Sequence, residues 1–312
     1  MARFVKVSTT ALSRCSRTLE DNLRGTCELV DKASIEKPDL IVLPEIFNLM
    51  CTGYKDIKKA AEDLNGISIK SMSEKALKYK CYITAPILIV RENKYYNSSV
   101  LIDRNGKVCN VYDKCFPTIE EIDSGTCPGQ KPSVVNTDIG KLGFLICFDL
   151  NFAELREIYK KNGVELLIFS SMFTGGIQSQ MWAFLNRCYL VSSVHHEEGS
   201  MIINPLGKII GSSSLPYEPV LTMVVNLDFK VIHLYQNHTK IKDLKKEYGD
   251  NIKLEIGGAE GLGILSSQSE ELSIDEMCRE FDIKDIEEYL KDSKELRDRT
   301  EKKGFKRFND IC

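Results

Sequence analysis

Residues 143–156 read GFLICFDLNFAELR, an apolar run that ends at Cys147 and continues directly into a helix-like segment. This pattern predicts a buried strand that delivers a thiol to a strand-to-helix turn. Backbone N–H groups at the start of a helix stabilise a thiolate and a developing oxyanion, so the position suits a nucleophile. An arbitrary cysteine in a strand is more often a small buried apolar residue. The rest of the chain must therefore decide whether Cys147 is catalytic.

The composition is that of a globular protein. The chain has 312 residues, 43% of them hydrophobic, which is enough for one large domain or two small ones and excludes a disordered protein. A formal charge of −3 argues against a nucleic-acid partner, which needs a concentrated basic surface. No apolar run approaches about 18 residues, and residues 1–7 alternate like a first strand. These features predict a cytoplasmic protein without a membrane partner.

The cysteines and histidines give no sign of a metal site. The eleven cysteines are odd in number, run from Cys15 to Cys312 and contain no Cys-x-x-Cys pair, so neither a disulfide framework nor a zinc site has its spacing. Most are expected to pack as small apolar residues. The pair His195-His196 is too small for a metal site, and His233 and His238 lie far along the chain. The sequence thus predicts no metal and no cofactor.

Strands and helices alternate from the first residue to about residue 226. Helices are predicted at residues 18–32, 68–80, 152–161 and 177–187. Strands are predicted at residues 40–44, 81–90, 98–103, 107–112, 142–147, 166–170, 188–194, 200–204, 208–211 and 220–227. Helices that cover sheets of buried runs and hairpins favour a layered α/β fold, with two mixed sheets packed face to face and helices outside.

The composition changes after residue 231. Residues 243–248, 274–281 and 285–299 are charged and helix-prone, and Glu301-Lys302-Lys303 continues that character. The simplest interpretation is a solvated helical surface, and the alternative is an arm that contacts another subunit. We therefore expect one domain over residues 1–231 and a charged helical extension over residues 232–312.

Three chemically useful side chains follow three predicted strands. Glu45 ends Leu-Pro-Glu, Lys114 ends Val-Tyr-Asp-Lys, and Cys147 ends the apolar run quoted above. In α/β sheets such strand ends share one crevice. A base, an ammonium and a thiol brought together there form a complete acyl-transfer set. Glu45 or Lys114 alone would be an ordinary surface residue, and only their combination with Cys147 indicates catalysis.

These ordered motifs resemble the nitrilase superfamily of carbon–nitrogen hydrolases, whose triad is Glu-Lys-Cys. The resemblance extends over residues 4–227 and implies an α-β-β-α sandwich that forms four layers on pairing. Further matching positions are residues 128–129, 140–143 and 170–171, Ala183, Asn186 and residues 199–207.

The resemblance also implies roles for individual residues. Glu45 would be the general base, Lys114 the oxyanion stabiliser and Cys147 the nucleophile. The family's second glutamate falls on Glu121, with Glu120 as the adjacent candidate. A charged lysine beside a thiol would also favour the thiolate.

Three more residues are expected to bind substrate or the oxyanion. The backbone N–H of Phe148 is the expected second oxyanion donor, Ser171 belongs to the matching segment after the next strand, and His195 is expected at the pocket rim.

The departures from the family pattern concern the substrate. Asn151, Ala153, Trp182 and Leu185 replace residues common in other members. True nitrilases typically follow the cysteine with Trp-Glu, whereas Phe148-Asp149 resembles amide and carbamoyl hydrolases. The prediction is an amidase-type hydrolase acting on a small amide or carbamoyl compound through a thioester. An N-acyltransferase, a nitrile hydrolase and a non-catalytic binding protein with the same fold remain as alternatives.

Members of the family pair through the helices beside the nucleophile strand, so at least a homodimer is expected. Apolar side chains at helical spacing are available there, although some must face the chain's own sheets: Phe152, Leu155, Ile158, Ile177, Met181 and Phe184.

Overall fold

The computed structural model describes residues 1–11, 16–54, 56–195, 199–213, 217–258 and 260–300. The helices are Leu19–Ser34 (α1), Ile57–Ala60 (α2), Ile67–Tyr79 (α3), Ile119–Asp123 (α4), Ala153–Lys161 (α5), Gly176–Asn186 (α6), His238–Tyr248 (α7), Ile274–Glu280 (α8) and Ile286–Arg299 (α9). The strands are Phe4–Thr10 (β1), Leu40–Val42 (β2), Tyr82–Arg91 (β3), Lys94–Ile102 (β4), Val108–Asp113 (β5), Val134–Thr137 (β6), Gly140–Ile146 (β7), Leu166–Ser171 (β8), Tyr189–Val194 (β9), Met201–Ile203 (β10), Ile209–Ser212 (β11), Val220–Asn226 (β12), Phe229–His233 (β13), Ile252–Ile256 (β14) and Leu262–Ser267 (β15).

Local sequence signals account for several element boundaries. The Thr18 side chain accepts a hydrogen bond from the Asp21 backbone N–H and so begins α1 where the sequence predicts it. The hairpin between β3 and β4 turns at Glu92 and Asn93, both with positive φ, as a two-residue turn of this kind requires. Most predicted elements up to residue 226 are present within a few residues of their expected bounds.

The described chain divides into two compact units. One comprises Phe4–Val225, and the other comprises Met1–Arg3 with the described residues from Asn226 onward.

The larger unit contains, among its described residues, two mixed six-stranded sheets. The first has the order β12-β1-β2-β3-β4-β5, and the second has the order β11-β10-β9-β8-β7-β6. In the first sheet the pairs β1–β2 and β2–β3 are parallel and β3–β4 and β4–β5 are antiparallel. In the second sheet β7–β8 and β8–β9 are parallel. Parallel strands at both centres bring several strand ends to one edge of each sheet.

The two sheets face each other, and helices cover their outer sides. Hydroxyl groups bridge the sheets, since Ser170 Oγ donates to the Leu43 carbonyl at 2.8 Å and Ser193 Oγ donates to the Thr10 carbonyl at 2.5 Å. Helices α1 and α3 share a core with the first sheet, and α5 and α6 share one with the second. The predicted α-β-β-α sandwich is confirmed.

The smaller unit differs from the sequence-based expectation. It contains the antiparallel sheet β13-β15-β14 as well as α7, α8 and α9. Its apolar side chains form a cluster of their own that includes Ile232, Leu244, Leu265 and Met277. The prediction of a purely helical extension is therefore wrong, because the unit contains a three-stranded sheet that supplies Ile232, Ile252 and Leu265 to this cluster. The motif Glu301-Lys302-Lys303 lies outside the described residues.

The cysteines are mostly free, as expected. Of the nine that the structure describes, eight are free and Cys51 is disulfide-bonded. The bond at Cys51 was not predicted from the sequence. No helix in the described part of the chain is long and apolar enough to cross a membrane.

Candidate active site

The three predicted catalytic side chains lie at the ends of three strands. Glu45 follows β2, Lys114 follows β5 and Cys147 follows β7. Because β4 is antiparallel to both of its neighbours, β5 runs in the same direction as β3 and β2. Glu45 and Lys114 therefore emerge at the same edge of the first sheet.

Lys114 lies between two carboxylates. Its Nζ is 3.1 Å from Glu45 Oε1 and 2.7 Å from Glu121 Oε2. Lys114 is 1% exposed and Glu45 is 2% exposed. Burial would lower the pKa of Lys114, but the negative charges of Glu45 and Glu121 help to raise it above its usual range. Lys114 is therefore an ammonium at neutral pH.

Of the two candidates for the second glutamate, Glu121 contacts Lys114 and Glu120 does not. The Thr118 backbone N–H donates to Glu121 Oε2 at 2.7 Å in a capping box that begins α4. Burial acts to raise the pKa of Glu121, but Lys114 and the hydrogen bonds from Thr118 and Asn97 lower it overall. Glu120 is exposed.

Cys147 sits at a strained turn. Its φ is +49°, an unusual value for a residue other than glycine, and it begins the 3₁₀ turn Cys147–Asn151. The Ser171 side chain and the Met172 backbone both act to lower the pKa of the Cys147 thiol. A strained strand-to-helix turn that carries a half-buried thiol is typical of a nucleophile elbow.

The electrostatics of Cys147 differ from the expectation of a resting thiolate. Burial and the charge of Glu45 raise the pKa of Cys147 to about 12, and the opposing effects of Lys114, Ser171 and Met172 are smaller. The thiol is therefore protonated at neutral pH. Attack on a substrate then requires a base, and Glu45 is the carboxylate whose charge acts on this thiol.

Asp149 joins the strand that carries the lysine to the strand that carries the cysteine. Its carboxylate accepts hydrogen bonds from the Tyr112 hydroxyl at 2.7 Å, the Ile146 backbone N–H at 2.9 Å and the Phe116 backbone N–H at 3.0 Å. Burial raises the pKa of Asp149 to about 6. Tyr112 belongs to the first sheet and Ile146 to the second, so one buried carboxyl group fixes both sides of the site.

The three predicted substrate-binding residues have different surroundings. The Ser171 side chain acts on the pKa of the Cys147 thiol as described above, and the Phe148 ring packs edge-on against Phe152, with ring centroids 5.4 Å apart. His195 Nε2 is 2.8 Å from the Glu45 carbonyl oxygen, and burial lowers the pKa of His195 to about 4. His195 is therefore a neutral ring that supports the Glu45 backbone. The roles of these residues toward substrate stay predictions, and His196 lies outside the described residues.

Sequence reasoning missed two residues at this site. Asn97 in β4 donates from Nδ2 to Glu45 Oε1 at 2.7 Å and to Glu121 Oε1 at 2.8 Å. The second is Tyr54, which is 43% exposed and whose pKa is raised by partial burial and by the charges of Glu121 and Glu45. The available signal for Asn97 was an amide in an otherwise apolar or hydroxylated buried strand. Tyr54 lies in a loop and gave no such signal.

Among the described residues, no group of three or more His, Cys, Asp or Glu side chains is arranged to hold a metal ion.

The fold and the side chains together define an α-β-β-α hydrolase with a buried glutamate–lysine pair beside a cysteine at a strand end.

Comparison with known proteins gives the family. The sequence model of the carbon–nitrogen hydrolase family matches residues 7–236, so the chain belongs to this family. The predicted resemblance and the prediction of a carbon–nitrogen hydrolase are confirmed.

Several relatives are named amidases. Omega-amidase NIT3 of Saccharomyces cerevisiae is 27% identical over 246 residues, which cover 68% of this chain and 84% of the relative. Omega-amidase NIT2-B of Xenopus laevis is 26% identical over 234 residues, covering 67% and 84%. Deaminated glutathione amidase of Bos taurus is 26% identical over 226 residues, covering 62% and 69%.

Solved structures agree with the fold. Saccharomyces cerevisiae Nit3 superposes with a TM-score of 0.62 at 25% identity, covering 72% of this chain and 90% of that one. The NitN amidase of Nesterenkonia sp. AN1 gives a TM-score of 0.61 at 18% identity, covering 71% and 92%, which supports the fold alone.

Proposed function

We propose that this protein hydrolyses the carbon–nitrogen bond of a small amide or carbamoyl compound through a thioester on Cys147. The observation that carries the proposal is the buried Lys114 ammonium, held by Glu45 and Glu121 beside a protonated thiol. The amidase names of the relatives support an amide substrate.

In the first half of the reaction, Glu45 takes the thiol proton as the sulfur attacks the substrate carbonyl carbon. The negative charge that develops on the carbonyl oxygen is stabilised by the Lys114 ammonium and the Phe148 backbone N–H. Glu45 then gives its proton to the leaving nitrogen, the carbon–nitrogen bond breaks, and ammonia or an amine departs. The acyl group remains on Cys147 as a thioester.

In the second half, a water molecule replaces the amine. Glu45 removes a proton from the water as its oxygen attacks the thioester carbonyl, with Glu121 holding Lys114 in place. Collapse of this intermediate breaks the carbon–sulfur bond, and the proton returns to the sulfur. The products are a carboxylic acid and the free thiol, so the enzyme is regenerated without a cofactor.

A protonated thiol suits this sequence of steps. An amide has a poor leaving group that must be protonated, and a base that first collects the thiol proton then holds a proton for that nitrogen. The Glu45 carboxylate raises the pKa of Cys147 and so keeps the proton in the site until attack. This pairing favours an amide over an activated ester as the natural substrate.

The test is release of ammonia and acid from a panel of amides, carbamoyl compounds and nitriles in water enriched in oxygen-18. We expect turnover of amides or carbamoyl compounds, with one solvent oxygen in the acid. Cys147→Ala should lower turnover by several orders of magnitude, whereas the control Cys109→Ala, which alters an exposed free cysteine, should retain it. Acid formed only from nitriles, or product formed only by transfer to an added amine, would replace the proposal with one of its alternatives.

The cytoplasmic location stays a prediction. The eight free cysteines support a reducing compartment, whereas the disulfide bond at Cys51 does not.

A further inference from the structure

Asn97 occupies the space between the two carboxylates of the site. It is fully buried, and its Nδ2 is 2.7 Å from Glu45 Oε1 and 2.8 Å from Glu121 Oε1. Its own backbone carbonyl accepts from the Lys114 backbone N–H at 2.8 Å. The amide is thus fixed by the strand pairing that also positions the lysine.

The two N–H bonds of this amide are both directed at carboxylates. Its other end, Oδ1, is buried without a hydrogen-bond partner among the described residues. An unpaired buried oxygen costs about 1–3 kcal/mol. Turning the amide over would direct Oδ1 at two negatively charged oxygens, so the carboxylates dictate the orientation that leaves Oδ1 unpaired.

This arrangement distinguishes the two oxygens of Glu45. Oε1 accepts from both Lys114 and Asn97, whereas Oε2 accepts from the Met172 backbone N–H at 3.1 Å. Oε1 is therefore occupied by the lysine and the amide, whereas Oε2 is the oxygen that neither of them contacts.

We propose that Asn97 is a positioning residue that prevents rotation of Glu45, so that Oε2 alone exchanges protons with Cys147. The inference rests on the proposed function and adds a required residue to it. A neutral amide suits the task because Glu45 must gain and lose a proton in each half of the reaction.

The test compares Asn97→Leu, Asn97→Ser and the control Ser99→Ala. Leucine removes both donors at similar volume, and serine can restore one. Ser99 is a buried residue two positions further along β4, and its hydroxyl has no hydrogen-bond partner among the described residues. All three proteins are first checked for folding by circular dichroism.

We expect Asn97→Leu to lower kcat roughly 10- to 100-fold with a smaller change in KM, because a misdirected base affects the chemical step more than binding. The acidic limb of the kcat/KM profile should move to higher pH, since ionised carboxylates lose a donor. Asn97→Ser should fall between this variant and the wild type, and Ser99→Ala should match the wild type. If Asn97→Leu does not fold, the kcat and the acidic limb of Asn97→Ser test the inference instead.

A folded Asn97→Leu or Asn97→Ser protein with wild-type kcat and an unmoved acidic limb would overturn the inference. If Cys147→Ala is inactive in the same assays, the proposed function survives that result. Turnover by Cys147→Ala would instead overturn the proposed function itself.

Discussion

At the scale of single residues, the charge state of Cys147 follows from its neighbours. Burial and Glu45 raise the pKa of the thiol, and Lys114 opposes them with a smaller effect. Glu45 and Lys114 are also the two residues that act with Cys147 in the proposed mechanism. The effect of each on the thiol can therefore be measured from the reactivity of Cys147, without a substrate.

The reactivity of Cys147 toward iodoacetamide should respond to these two neighbours in opposite directions. In Glu45→Gln the pH midpoint of alkylation should fall by about one to two units, because a negative charge is removed. In Lys114→Met it should rise, because the compensating positive charge is lost. Glu120→Gln, an exposed neighbour of Glu121, serves as the control and should not move it. Shifts of the same sign in both variants would show that the thiol is not governed by this pair.

His195 gives a pH prediction at the same scale. Burial lowers the pKa of His195 to about 4 from 6.5, so the unfolded chain binds this proton more readily than the folded one. Its contribution to stability is present above about pH 6.5 and is lost as pH falls toward 4, by about 3 kcal/mol.

Urea unfolding between pH 7.5 and 4 measures this loss. His195→Gln can still donate to the Glu45 carbonyl and does not titrate, so it should show a shallower decline than the wild type. His233→Gln should keep the wild-type slope. Equal slopes for His195→Gln and the wild type would contradict the assignment of a buried neutral ring.

At the scale of elements, the site depends on which strand ends lie together. The sequence predicted this edge because Glu45, Lys114 and Cys147 each follow an apolar run. An amide inside a buried strand marks Asn97 as unusual, but its role could not be predicted, since the carboxylates that it contacts are distant in sequence. The hydrogen bonds of Asp149 to Tyr112 and Ile146 could not be predicted either, because they depend on how the two sheets pack.

Removing the Asp149 carboxylate should loosen the connection between β5 and β7. Asp149→Ala leaves two backbone N–H groups and the Tyr112 hydroxyl without their acceptor, and we expect the free energy of unfolding to fall by about 2–4 kcal/mol. Tyr112→Phe removes one donor and should cost about 1 kcal/mol. Urea titration of both variants tests this order, and an Asp149→Ala protein as stable as Tyr112→Phe would contradict it.

At the scale of the whole molecule, the structure agrees with the prediction for the sandwich and differs from it for the smaller unit. Most strands of the sandwich were predictable because they are apolar runs bounded by turn residues. The strands of the smaller unit were not, because β14 and β15 lie between charged, helix-prone segments that dominate the composition there. That unit has a core of its own, and the alternative that it also contacts another subunit stays a prediction.

Assembly through the outer helices of the second sheet remains our prediction. Ile158 of α5 and Ile177 and Met181 of α6 are 40%, 71% and 51% exposed, whereas Leu155 is buried. We expect a homodimer at micromolar concentration by light scattering, weakened when Ile177 and Met181 are both changed to Glu. Ile67→Glu, which alters an apolar residue of α3 that is 54% exposed, should not weaken it. A monomer mass for the wild type would contradict the prediction.

The most direct measurement of the central claim is the mass of the protein quenched in acid within milliseconds of mixing with an activated ester. Such an ester needs no leaving-group protonation, so acylation outpaces hydrolysis and the thioester accumulates. The account predicts a gain of one acyl group per chain, located on the peptide that contains Cys147 and absent in Cys147→Ala. Product release without any acyl group on Cys147, or the same acyl group in Cys147→Ala, would contradict it.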